Sequence, residues 1–260
     1  MDKKPEWLKV RYNQDAVNEV AEMMRELKLN TVCKEANCPN LGECYRKHTS
    51  TFMILGSVCT RNCRFCNVTH ARPEPPDPDE PMNVAVAAKK LGLRHVVLTC
   101  PTRDDLPDGG AEQFAKTVRA IRELCPGATV ETLISDMQMN TDALDVVIAA
   151  HPEVLNHNVE TVKELQATVR PQARYERSLS VLRYCKEKDP TLLTKTGFMV
   201  GLGETEEQIC ALMDDVLETG CDILTIGQYL QPSPKHYPLA RYATPEDFAR
   251  YKEIALAKGF

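Results

Sequence analysis

Hydrophobic positions alternate between two patterns along most of this chain. Short, nearly unbroken apolar runs at 51–55, 95–100, 129–135, 154–159, 192–202 and 222–230 predict strands. Between them apolar residues return every three or four positions, predicting helices over 84–91, 111–124, 143–150, 176–186, 206–219 and 245–257. Strands lacking polar alternation, such as Val96-Val97-Leu98, suit a sheet covered by helices on its faces. Alternation of strands with helices implies parallel β/α units. Six such units fall short of the eight that close a barrel. The expected class is therefore α/β, a partial (β/α)6 TIM-like barrel, with a doubly wound sheet as the alternative.

Residues 1–48 depart from that pattern. They are rich in charge and carry one amphipathic helical face, made by Val17, Val20, Ala21, Met24 and Leu27. Residues 34–44, with Pro39, Asn40 and Gly42, read as a loop. The expected organisation is an N-terminal cysteine-bearing extension over 1–48 and a core over 49–260. The proline-rich stretch 72–78 reads as a stiff connector. Neither an internal repeat nor a low-complexity tract interrupts the chain.

Composition narrows the function classes. With 260 residues, 43% hydrophobic and 27% charged, the chain is globular rather than disordered, collagenous or coiled-coil. Its 32 Lys+Arg against 37 Asp+Glu give a net charge of −5, and aromatics are 6%; nothing favours nucleic acid. No run reaches the ~18 apolar residues of a membrane span, and Met1–Glu6 lacks the apolar region of a leader. The expectation is a cytoplasmic protein with no membrane and no nucleic-acid partner.

The cysteines change the picture most. There are 11, an odd number that suits a disulfide framework poorly. Cys33, Cys38 and Cys44 are spaced C-x4-C-x5-C; Cys59, Cys63 and Cys66 are spaced C-x3-C-x2-C. Structural zinc takes four protein ligands, and neither triplet offers a local fourth. A four-iron cubane held by only three thiolates keeps one iron open to a ligand. The second triplet directly follows the first strand, where parallel β/α folds place their chemistry. For the first triplet a zinc knuckle or incidental thiols remain as bland alternatives. Cys100, Cys125, Cys185, Cys210 and Cys221 are scattered and read as small buried hydrophobes, although Cys100 ends a strand on the active rim.

Polar and glycine residues gather after the other strands: Asp104, Asp105, Asp108, Gly109 and Gly110, then Asp136, then Asn158 and Glu160, Gly203 and Glu204, and Gln231 and Ser233. Each also has a structural reading. Gly109-Gly110 could be a turn, His157 a satisfied core residue, and Arg170 and Lys195 partners in surface ion pairs. Gly201-x-Gly203 lacks the third glycine of a dinucleotide loop.

Residues 50–66, with Cys59-Thr60-Arg61-Asn62-Cys63-Arg64-Phe65-Cys66, resemble the radical S-adenosylmethionine superfamily. From Leu29 to Phe260 the chain resembles one of its families, the lipoyl synthases. The specific pieces are the run Thr31 to Asn40 with Cys44, the run Arg103 to Ala111, Asn156-His157-Asn158, Lys195-Thr196-Gly197, Met199 to Thr205, and Gly227 to Ser233.

That resemblance implies two 4Fe–4S clusters and S-adenosylmethionine as cofactors. Cys59, Cys63 and Cys66 would hold the cluster whose open iron chelates S-adenosylmethionine. Reductive cleavage would release a 5′-deoxyadenosyl radical that takes hydrogen from C6 and C8 of an octanoyl chain. Cys33, Cys38 and Cys44 would hold an auxiliary cluster that donates the sulfurs. Phe65, Asp108, Gly109, Asn158, Glu160, Arg170, Gly203 and Gln231 would border the cofactor. The implied partners are an octanoylated lipoyl carrier protein (glycine cleavage H protein or a dehydrogenase E2 lipoyl domain) and reduced ferredoxin or flavodoxin as electron donor. In the family an Arg-Ser-Ser-Tyr segment near the C-terminus supplies a serine to the auxiliary cluster. The sequence ends at Gly259-Phe260 before such a segment, and Arg177-Ser178-Leu179-Ser180 lies within a predicted helix. The competing readings are another radical sulfur-inserting enzyme and a two-cluster electron-transfer protein.

Overall fold

The computed structural model describes residues 4–9, 14–36, 38 and 51–260. The chain divides into two compact units, one drawn from Leu8–Arg61 and Asn67–Glu153, the other from Met1–Trp7, Asn62–Cys66 and Val154–Phe260.

In the first unit, helix α1 (Gln14–Glu26) buries Val20 and Met24, four residues apart on the face its periodicity predicts. Strand β1 (Asn30–Thr31) pairs antiparallel with β2 (Thr51–Met53). A single helical turn, α2 (Val32–Glu35), runs into the first two residues of the segment expected to be a loop; Thr31 Oγ1 caps it by accepting from Lys34 N at 3.3 Å. Strands β2, β5 (His95–Thr99) and β6 (Thr129–Leu133) then pair in parallel and in chain order. A small parallel pair, β3 (Val58–Cys59) with β4 (Thr69–His70), follows the first of them. Helices α3 (Glu80–Lys90), α4 (Ala111–Leu124) and α5 (Thr141–Ile148) connect the strands. Ala85, Ala87 and Ala88 of α3 and Phe114, Val118 and Ile121 of α4 are all buried as the two helices pack together.

The second unit repeats the plan. Strands β7 (Val154–Asn156), β8 (Leu193–Val200) and β9 (Ile223–Gln228) pair in parallel and in chain order. Helices α6 (Lys163–Val169), α7 (Tyr175–Lys188), α8 (Glu206–Leu217) and α9 (Pro245–Lys258) accompany them. Phe198 and Val200 of β8 share one buried cluster with Leu182 of α7, Ile209 and Met213 of α8 and Tyr251 of α9. Thr205 and Thr244 open α8 and α9 with reciprocal capping boxes.

All six predicted runs contain a strand, but several strands stop early. The first ends at Met53 because Leu55 (φ 67°) and Gly56 (φ 86°) turn the chain out of the ladder. The fourth ends at Asn156, although Glu160 bridges back to Phe198. Helix α3 starts at Glu80 rather than 84, because Pro81 suits a first helical turn. Among the described residues no helix is long and apolar enough to cross a membrane.

Candidate active site

The chain approaches the second cysteine motif through the Leu55–Gly56 turn of the first unit. Leu55 N donates to the buried Glu80 carboxylate at 2.9 Å, and Arg103 Nη1 donates to Leu55 O at 3.0 Å. Gln113 Nε2 reaches the same Glu80 oxygen at 2.9 Å. Burial pushes the Glu80 carboxyl above its ordinary value, against the hydrogen bonds it accepts. The Leu55 side chain lies over Gly110, where a Cβ would sit 2.2 Å from Leu55 Cδ1. A residue with positive φ costs energy, and these contacts hold it in place.

Cys59 follows. Its Sγ accepts two backbone amides, from Thr102 at 3.3 Å and from Arg61 at 3.4 Å. Thr60 ties the same loop to the end of the neighbouring strand: its Oγ1 donates to Thr102 O and accepts from Asp104 N. Arg61 is buried. Its Nε and Nη2 grip Asp104 at 2.6 and 2.8 Å, and its Nη1 and Nη2 grip Asp136 at 3.0 and 2.6 Å. Burial disfavours the guanidinium charge, but the two carboxylates outweigh it, so the Arg61 pKa rises. Cys100, near Cys59, stays a thiol; burial pushes it up to about 12.

Cys63 and Cys66 belong to the second unit. Arg64 N donates to Val169 O at 2.9 Å, Tyr237 N donates to Arg64 O at 2.7 Å, and the Arg64 guanidinium stands 5.7 Å over the Tyr237 ring. His236 Nε2 lies 3.1 Å from Cys66 O, while its Nδ1 lies 2.9 Å from Ser233 Oγ. A carbonyl can only accept, so Nε2 carries a proton and donates to Cys66 O. Phe65 packs with Val169, Leu202 and Tyr229. Sequence reading missed His236 and Tyr237, which lie in irregular chain beyond the last strand; only their place after Gln231-Pro232-Ser233 hinted at a role.

The other expected residues divide. Asp108 is spent locally: its oxygens accept from Gly110 N at 3.0 Å and Glu112 N at 2.9 Å at the start of α4. Gly109 (φ 60°) follows it, where a Cβ would meet Met137 Cγ at 3.2 Å. Gln231 donates to His236 O and accepts from Leu239 N. Gly203 (φ 108°) would bring a Cβ within 3.9 Å of Ala240 Cβ, and neighbouring Glu204 accepts from Gly201 N and Leu202 N. Asn158, Glu160 and Arg170 do come together. Arg170 Nη1 donates to the Asn158 and Val159 carbonyls at 3.2 and 3.1 Å. Burial raises the Glu160 carboxyl, opposed by Arg170 and an Asn158 hydrogen bond. His157 meets Ser178 at 2.9 Å and is fully buried, as its structural reading has it. Cys33 is buried in α2, and Cys38 N closes that turn on Cys33 O at 3.0 Å. Cys44 lies outside the described residues.

The surroundings of Cys59 fit a cluster. Two amides on one sulfur suit a thiolate ligand, because such hydrogen bonds stabilise charge on sulfur. Among the described residues no three His, Cys, Asp or Glu side chains converge as a single metal ion would require. A cubane gives each thiolate its own iron, so its cysteines need not converge on one point. Buried Arg170 has an Nε without a partner and the half-buried Glu160 carboxyl is near it, a pair whose charges would suit the carboxylate and ammonium of an amino-acid group.

The model of the Radical SAM superfamily matches residues 53–216. The solved methylornithine synthase superposes with a TM-score of 0.64, covering 94% of this chain and 76% of its own at 14% identity. Streptococcus suis SuiB bound to S-adenosylmethionine superposes at 0.60, covering 93% and 57% at 16% identity. Those likenesses show the fold class, the α/β partial barrel that the strand–helix alternation leads one to expect. The chain belongs to the radical S-adenosylmethionine superfamily, whose enzymes work with a 4Fe–4S cluster and S-adenosylmethionine. A lipoyl synthase of Caldanaerobacter subterraneus is 55% identical over 99% of this chain and 90% of its own length. Those of Rubrobacter xylanophilus and Chlorobaculum tepidum are 57% and 53% identical, each over 99% of this chain and over 80% and 89% of their own. Within the superfamily, the chain belongs to the lipoyl synthase family.

Proposed function

We propose that this chain makes lipoyl groups, inserting sulfur at C6 and C8 of an octanoyl chain carried as an amide on a carrier protein. The observation behind the reading is the near-full-length likeness to lipoyl synthases at more than half identity. In this reading Cys59, Cys63 and Cys66 hold the cluster that S-adenosylmethionine chelates, and Cys33, Cys38 and Cys44 of the 1–48 extension hold the auxiliary, sulfur-donating one. Bound together, the first cluster and S-adenosylmethionine supply a primary carbon radical able to take hydrogen from unactivated C–H bonds.

The protein's own part is orientation and exclusion. The Thr102 and Arg61 amides stabilise the Cys59 thiolate. His236 and Tyr237 fix the backbone that carries Cys63 and Cys66. Arg170, through its unpartnered Nε, receives the carboxylate of S-adenosylmethionine, and Glu160 its ammonium. Gly203, at φ 108° and without a side chain, lets backbone approach the adenosine, while Asp108, Gly109 and Gln231 shape the surrounding loops. Phe65, packed on Val169, Leu202 and Tyr229, keeps water from that limb.

The carrier is a glycine cleavage H protein or a dehydrogenase E2 lipoyl domain, the electron donor a reduced ferredoxin or flavodoxin, and the setting the cytoplasm. Anaerobic reconstitution followed by mass analysis of an octanoyl-lysine peptide tests this. Dithiolated peptide, with methionine and 5′-deoxyadenosine, is expected; S-adenosylmethionine cleavage that leaves the peptide without sulfur would exclude it.

A further inference from the structure

The Arg61 bridge has no part in binding S-adenosylmethionine in the reading above, yet it is a heavily bonded ionic group beside a cysteine of the motif. One guanidinium meets two carboxylates through four hydrogen bonds, and its own backbone N–H points at Cys59 Sγ. The side chains of Arg61 and Asp136 are 3% and 0% exposed and that of Asp104 29%, so the negative charge of Asp136 sits where water screens it least. That charge lies within one arginine side chain of the Cys59 sulfur. Net charge, burial and hydrogen bonds to sulfur are the levers by which a protein sets the potential of an iron–sulfur cluster.

We propose that Asp136 and Asp104 are positioning residues that act through Arg61 to set the midpoint at which the cluster on Cys59, Cys63 and Cys66 takes up its electron. The negative charge of each carboxylate opposes electron uptake and holds the midpoint low, and their grip keeps the Arg61 amide on Cys59 Sγ. The step concerned is uptake of one electron by the cluster from an external reductant, with no proton or bond changed at the bridge. The inference rests on the proposed assignment of those three cysteines to the cluster.

The experiment is a redox titration of the anaerobically reconstituted full chain, followed by electron paramagnetic resonance. The titration uses the chain with Cys33, Cys38 and Cys44 changed to Ala, so that the signal followed, the one that changes when S-adenosylmethionine is added, comes from the cluster on the second triplet alone. Asp136→Asn is expected to shift that midpoint upward, and Asp136→Glu, which keeps the charge, to return it toward the parent value. Asp104→Asn is expected to shift it in the same direction by less, because its carboxylate is better screened; it carries the test if Asp136→Asn does not fold. An unchanged or lowered midpoint in the folded Asn variants overturns the inference while leaving the assignment of the cysteines intact. Absence of any S-adenosylmethionine-responsive signal in the parent chain overturns both.

Discussion

At the scale of single residues, tolerance is set by what stands within a methyl group's reach. A Cβ on Gly201 would sit 2.6 Å from Arg241 O and 2.5 Å from Gln228 Nε2, at φ 102°. A backbone carbonyl cannot swing aside, so Gly201→Ala is expected to destabilise by roughly 2–4 kcal/mol, read from chemical denaturation. Glu80 gives a pH signature. Its folded carboxyl keeps its proton above the ordinary 4.5, so the folded state binds more protons than the unfolded one in that window. Stability from this group is therefore fullest below 4.5 and declines as pH rises through the elevated value. Glu80→Gln, neutral throughout, lacks the decline, and the stability difference should move in the variant's favour as pH approaches neutrality; parallel pH profiles would contradict this. The sequence showed that Asp104 and Asp136 follow strands, but nothing in it showed that both close on Arg61. Spacing identifies residues that share a rim; it does not say which guanidinium reaches them.

At the scale of elements, local signals served where they were strong. Thr205-x-x-Gln208 and Thr244-x-x-Asp247 are readable capping patterns, and both are formed, with the threonine hydroxyls accepting at 3.3 and 3.2 Å. Thr205→Ala and Thr244→Ala should each cost about 1 kcal/mol, with Thr→Ser nearly neutral, in thermal or denaturant unfolding. Helix α6 was not legible: seven residues long, it buries Gln166 beside Val169 and so breaks the apolar spacing that marks a helix. Leu55 misled in the opposite direction. Its apolar character suggested a longer first strand, but it serves packing against Gly110 rather than the ladder.

At the scale of the whole molecule, the cysteine spacing and the strand order carried the class of chemistry, since both are set along the chain. The clamp on the motif was hidden because it is made by residues far away in sequence. The two triplets make a prediction of this scale. The reconstituted parent should hold about eight irons, and a chain with Cys33, Cys38 and Cys44 all changed to Ala about four. That variant should still cleave S-adenosylmethionine while transferring no sulfur; loss of cleavage as well would mean the triplets do not act separately. The remoteness of the clamp has one more consequence. Cys66 O meets a side chain 170 positions onward, and Arg64 is held by Val169 and Tyr237. A ribosome releases His236 170 residues after Cys66, so the second limb of the motif acquires its final shape only once that length of chain has followed it.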